Sequence, residues 1–145
     1  MENEKIAGDA LLSAKRWLET AHMAAGEGNY DSAVYSLEMS VEISLKAVLL
    51  SIGTEVPKIH AIGDIFAEAV RGNDKVHKEL SSSVEEITRT FKELLKLRSA
   101  AGYMFEREDE LENLGSEYRN LEGSSDKIVA LCEKAVRKLS GSGRR

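Results

Sequence analysis

Apolar residues recur along this chain at intervals of three and four, and the runs they form stop at glycines. Ala7, Leu11, Ala14, Leu18, Ala21 and Ala25 line one face of a first helix. Gly26 and Gly28 end it, and Asn29 or Asp31 can cap the next. The second helix carries Val34, Leu37, Val41 and Val48 on one stripe and Tyr35, Glu38, Glu42, Leu45, Leu49 and Ile52 on its neighbour. Residues 45–52 are apolar on nearly every side, which predicts a helix at the centre of the fold, closed by Gly53 and followed by an extended connection at Pro57. A short third helix after His60 points Ile62, Ile65, Phe66 and Ala69 inward, and Gly72-Asn73-Asp74 stops it. The fourth spaces Leu80, Val84, Ile87, Phe91 and Leu94 along a seam whose next position is Arg98. The fifth uses Ile128, Cys132, Ala135 and Leu139, with Ser124 or Ser125 as cap. Between these two, Leu111, Leu114, Tyr118 and Leu121 outline a weak extra helix interrupted by Gly115. The glycine breaks favour a packed bundle over a long coiled coil.

Composition narrows the class. The 145 residues suit one domain with a full core, residues 1–140, ahead of a GSGRR tail, 141–145, expected to be disordered. Pro occurs once and aromatic residues are scarce, in keeping with an all-α chain. No apolar run approaches the roughly 20 residues that span a bilayer, and the N-terminus does not read as a signal peptide. Cys132 is the only cysteine, which excludes an internal disulfide and a multi-cysteine zinc site. A cytoplasmic protein without membrane contact, metal or cofactor is expected. The net charge of −5 arises within residues 100–123, where seven acidic groups face Arg107 and Arg119. Residues 104–123 therefore read as an acidic connecting segment, able to dock a basic partner. The overall charge gives no support to broad attraction toward nucleic acid, and the basic stretch from Lys134 onward is ordinary for the end of a last helix.

Charged residues at core positions are the anomaly. Glu38, Glu42 and Lys46 repeat every four residues and so share one side of the central helix. Arg98 ends an apolar seam, and burial of any of these is costly without a partner. Arg98 is expected within about 4 Å of Glu38 or Glu42, in the same or a partner subunit, because one guanidinium can serve two carboxylates. The plain alternative is a solvated face on which Glu42 pairs only with Lys46. His60 can cap the third helix, bond a loop carbonyl or meet an anionic ligand, and Asp64 can orient it. His22 and His77 support no motif, and Trp17, Tyr30 and Tyr35 read as packing around the start of the second helix. Gly26-x-Gly28 is too short for a phosphate loop, and no nucleophilic triad or metal spacing is present.

Several of these residues also fall in a familiar order. Tyr30-Asp31-x-Ala33, Glu42-x3-Lys46-Ala47-x-Leu49-Leu50, Gly53 and Lys58-x-His60 resemble the HEPN domain, the nucleotide-binding domain of higher eukaryotes and prokaryotes, over roughly residues 10–100. The resemblance implies an antiparallel bundle of four to five helices that often dimerises. Members include RNA-cleaving toxins, companions of a nucleotidyltransferase in toxin–antitoxin pairs, and binding modules without catalysis. The nucleases resembled carry an Arg followed four to six residues later by His near the end of the fourth helix. Arg98 fits the arginine, but Tyr103 stands where the histidine would be, and a tyrosine is a poor proton acceptor at neutral pH.

The expectation is a HEPN-like interaction module, a homodimer with its second and fourth helices near the interface. Its ligand would be a nucleotide or RNA, and its partner a separately encoded nucleotidyltransferase. Glu38, Glu42, Lys46, His60 and Arg98 form the candidate ligand-binding or polar cluster. RNA cleavage is not expected; the competing reading is a metal-independent ribonuclease using Arg98 with Tyr103 or His60.

Overall fold

The computed structural model describes residues 2–142, which form six α-helices and, among those residues, no strand. They are α1 (Glu2–Gly26), α2 (Tyr30–Ser51), α3 (Gly63–Arg71), α4 (Lys78–Ser82), α5 (Val84–Ala101) and α6 (Leu111–Ser142). Two single 3₁₀ turns, Met104–Glu106 and Glu108–Glu110, join α5 to α6. α2 is the central element, packed against α1, α3, α5 and α6. Its apolar residues account for this. Val34, Leu37, Val41, Leu45, Val48 and Leu49 are all fully buried, so both of its stripes face protein. Buried Ser40 and Ser44 return their hydroxyls to the helix's own carbonyls of Leu37 and Ser40 at 2.7 and 2.8 Å, which satisfies them without a partner element.

The hairpin between α1 and α2 turns at Gly28, and α2 ends at Gly53; both glycines sit at positive φ (78° and 80°), where a side chain would be strained. Asn29 precedes α2 but its side chain makes no capping bond. In α3 the inward face is Phe66, Ala67 and Val70, with Ile65 and Ala69 only partly covered, so the buried stripe is rotated from the one expected.

Two expected elements differ. The expected single fourth helix is two, α4 and α5, broken at Ser83, although Leu80, Val84, Ile87, Phe91 and Leu94 are all buried as one seam. In the other direction, the weak segment over 111–121 and the last helix are one continuous α6. Ser125 is not a cap there: it is buried mid-helix and donates to the Leu121 carbonyl at 2.8 Å. Gly115 interrupts nothing and makes room instead. A Cβ at this position would lie 2.7 Å from the ring of Tyr30, which packs across the helix while its hydroxyl accepts from Arg119 at 3.0 Å. α6 runs on through Ser142, and the remainder of the expected disordered tail, 143–145, lies outside the described residues.

Candidate functional site

Tyr35, Glu38, Glu42 and Lys46 climb one side of α2, spaced so that each lies about one turn above the last. Arg98 reaches them from the last turn of α5, and His60 from the loop that Gly53 and Pro57 open between α2 and α3. Glu38 and Glu42 are 0% and 2% exposed. Arg98 donates from Nη1 to Glu38 Oε1 at 2.5 Å and lies 3.6 Å from Glu42 Oε1. Its guanidinium also stands 4.4 Å from the centre of the Tyr35 ring, and Nη2 donates to the Tyr35 hydroxyl at 3.2 Å. Glu42 accepts in addition from Lys46 Nζ at 2.9 Å and from His60 Nδ1 at 3.0 Å.

His60 lies between the acid and the base of this group. Its Nδ1 is 3.2 Å from Arg98 Nη1, and its Nε2 is 3.4 Å from Nη2. With a proton on Nδ1, the ring donates to Glu42 and Nε2 accepts from Arg98 Nη2, while the Nδ1–Nη1 approach sets donor against donor and is no hydrogen bond. The His60 side chain remains 57% exposed while that of Arg98 is 17% exposed, so the imidazole is the open face of a cluster whose carboxylates are sealed.

The two buried carboxylates are shifted in opposite directions. Burial pushes Glu38 up to about 8, a hydrogen bond and repulsion from Glu42 add to this, and Arg98 only partly offsets them. Glu42 moves below its usual range: burial opposes this, but the bonds from Glu38, Lys46 and His60 outweigh it. The proton therefore belongs on Glu38. Its Oε2 is fully buried with no other partner, and protonation lets it donate to Glu42. With that proton in place, Arg98 and Lys46 both face the Glu42 carboxylate.

The structure thus gathers Glu38, Glu42, Lys46, His60 and Arg98 within one chain. Tyr103 stands apart, 64% exposed, its ring 6.4 Å from that of Phe105. Sequence reasoning underrated Tyr35, which stacks on Arg98 as well as packing 6.1 Å from Trp17. The signal was its place one turn before Glu38 on the same stripe. The Glu38–Glu42 stripe of α2, expected near a dimer interface, is covered within the chain by α5 and the 52–62 loop, because Arg98 arrives from inside the bundle. His22, which supported no motif, bridges α1 to α6, with Nδ1 2.9 Å from Glu122 and 3.2 Å from the Tyr118 hydroxyl, and Nε2 3.0 Å from Asp126. No group of three or more potential metal ligands occurs among the described residues.

The family model of the HEPN domain matches residues 7–138, most of the chain. The chain belongs to the HEPN family. Its all-helical bundle with α2 at the centre is the HEPN fold in this sequence. Among curated proteins and among solved structures, none matches it. Within this HEPN domain the Arg98 cluster is built by the segments that carry the resemblance, α2 and the loop to His60, together with the end of α5. Among the described residues, no helix is long and apolar enough to cross a membrane.

Proposed function

We propose that this HEPN domain is a cytoplasmic binding module that takes a nucleotide or a stretch of single-stranded RNA at the Arg98–His60 cluster. The carrying observation is that Arg98, Lys46 and an exposed imidazole gather over two buried carboxylates, beside an aromatic ring at the same opening. A phosphate is the ligand such a surplus of donors suits, and Tyr35 offers a face to a base. Labelled single-stranded RNA and ATP, followed by fluorescence anisotropy and calorimetry, test this. His60→Ala should weaken binding about tenfold, because the ring holds the Arg98 donors at the opening. Wild-type protein that binds neither ligand overturns the reading.

A homodimer belongs to the same proposal, with the interface moved to the aromatic pair Tyr103 and Phe105, which are 64% and 73% exposed beside the end of α5. Light scattering that finds only monomer at tens of micromolar, the order of a weak-dimer Kd, removes that part. A separately encoded nucleotidyltransferase, as in a toxin–antitoxin pair, is the partner in keeping with the family.

One observation favours a second reading. The window after Arg98 lacks a histidine, but the loop after Pro57 brings His60 to within 3.2 Å of Arg98. In a metal-independent ribonuclease His60 Nε2 would take the 2′-hydroxyl proton, the 2′-oxygen would attack phosphorus, and the 5′-oxygen would leave. Arg98 would stabilise the charge on the phosphoryl oxygens. Against this, Nε2 is engaged by Arg98, and no second imidazole stands by to protonate the leaving oxygen. The expected result is no cleavage of single-stranded RNA in the presence of chelator. Cleavage that disappears in both Arg98→Lys and His60→Ala would establish the enzyme instead.

A further inference from the structure

The cluster is flanked along α5 by two cavities of opposite character. Toward the N-terminus of α5, about 550 Å³ opens between that helix and the start of α3, lined by Arg89, Lys92, Thr88, Asp64 and Gly63. It shares the two segments that carry the cluster: Ala61, which follows His60, and Leu95, about one turn before Arg98, both line it. Past Arg98, a second cavity of about 370 Å³ is lined by Asp31, Ser32, Tyr35 and Ser36 and contains no cation.

Arg89 and Lys92 are both exposed, and among the described residues neither side chain makes a hydrogen bond or ion pair. Lys15, Lys134 and Arg137 are each held by a glutamate, whereas the side chains of Arg16, Lys96 and Lys138 make as few such bonds as Arg89 and Lys92. What sets Arg89 and Lys92 apart is that they line this cavity together. At about 1.5 Å of rise and 100° of turn per residue, Lys92 stands about 9 Å along the axis from Arg98 and about 120° round the helix. Arg89 stands about 14 Å along and on the opposite side, so the cavity faces the outer flank of α5. No side chain caps the first turn of α3, whose Gly63 opens on the same cavity. Asp64 is the opposing charge on this wall, leaving two cations to one carboxylate.

We propose that the α3–α5 cavity is a phosphate subsite, in which Arg89 and Lys92 hold a phosphate of the ligand next to the one at Arg98. It rests on the reading of the cluster as a nucleotide or RNA site, and it gives that site a direction. Phosphates run from Arg98 toward Arg89, and the sugar or base lies toward Tyr35, where hydroxyls and Asp31 supply acceptors. The phosphates can belong to an RNA chain or to a free nucleoside triphosphate.

Inorganic pyrophosphate probes the subsite without the rest of the ligand. Titrated into ¹⁵N-labelled protein, it should shift the amides of Gly63, Asp64 and Thr88 in a saturable way. The Arg89→Glu/Lys92→Glu double variant should abolish those shifts, and Asp64→Asn should strengthen binding. Shifts that are absent, or that survive in the double variant, overturn the subsite while leaving any His60-dependent RNA binding intact. With labelled RNA, the double variant should lose at least about tenfold in affinity. Its log–log salt slope should fall by about 1.4, two contacts at about 0.7 each. A Lys127→Glu/Lys138→Glu double variant, the same charge change placed on α6, should do neither. A loss confined to ATP assigns the phosphates to a free nucleotide, and a loss confined to RNA assigns them to a chain. Equal binding of both ligands by the double variant and wild type removes the proposal.

Discussion

The two histidine–carboxylate groups of this molecule differ in depth. Around His60, the acids are sealed in the bundle and the histidine looks out. Around His22, every member except the Tyr118 ring is at the surface: His22, Glu122 and Asp126 side chains are 39%, 36% and 47% exposed. Contact distances in the two are alike, near 3 Å. Water competes with every partner in the surface group, so its charges cost little to keep and contribute little when paired. In the core group the carboxylates cannot return to water, and they must share a proton, a guanidinium, an ammonium and an imidazole. Distance alone would rank the sites equal; burial separates a surface tie between α1 and α6 from a site with an altered protonation state.

Removing the cation at the core should have the largest effect. Arg98→Ala leaves the buried Glu38–Glu42 pair without its guanidinium and should cost about 3–5 kcal/mol in chemical denaturation. A loss below about 1 kcal/mol would mean that the core group is as solvated as the surface one. The proton on Glu38 gives a second measure. Its folded value near 8 lies above the ordinary 4.5, so the folded chain holds this proton more tightly than the unfolded chain. That contribution is fully present below about pH 4.5 and is lost as pH rises toward 8, a decline on the order of a few kcal/mol. Glu38→Gln should flatten the decline between pH 5 and pH 8.5. An unchanged slope would place the proton elsewhere.

Smaller effects are expected on the outer wall. His22→Ala should cost under about 1 kcal/mol and less again in 1 M salt, whereas the Arg98→Ala loss should persist in salt. The smallest effect concerns α6. Gly115→Ala gains helix propensity of about 1 kcal/mol but displaces the Tyr30 ring. It should therefore stabilise the Tyr30→Ala variant and not the wild type; a gain of equal size in both would show that the ring yields freely.

The helices were legible because their cause is local. The spacing of Leu11 and Ala14, or of Ile87, Phe91 and Leu94, sets which face is apolar before any tertiary contact forms. The same reading exposed Glu38, Glu42 and Arg98, since a charge on an apolar seam is visible as a break in the period. It erred at Gly115 and Ser83. A glycine in a helix reads as a stop unless the ring packed against it is known, and one apolar seam can cross two helices whose backbones are interrupted between them.

The sequence by itself determined an all-α bundle, a central α2, the HEPN resemblance and the residues that would have to find partners in the core. Tertiary structure alone decided which partners they found. It turned the 52–62 loop so that His60 meets Arg98, set Tyr35 beneath the guanidinium and kept the group within one chain. It also decided how far water reaches each carboxylate, and with that where the shared proton sits. Periodicity along a helix is fixed by its 3.6-residue turn, but the path of a loop and the depth of a charge depend on everything packed around them.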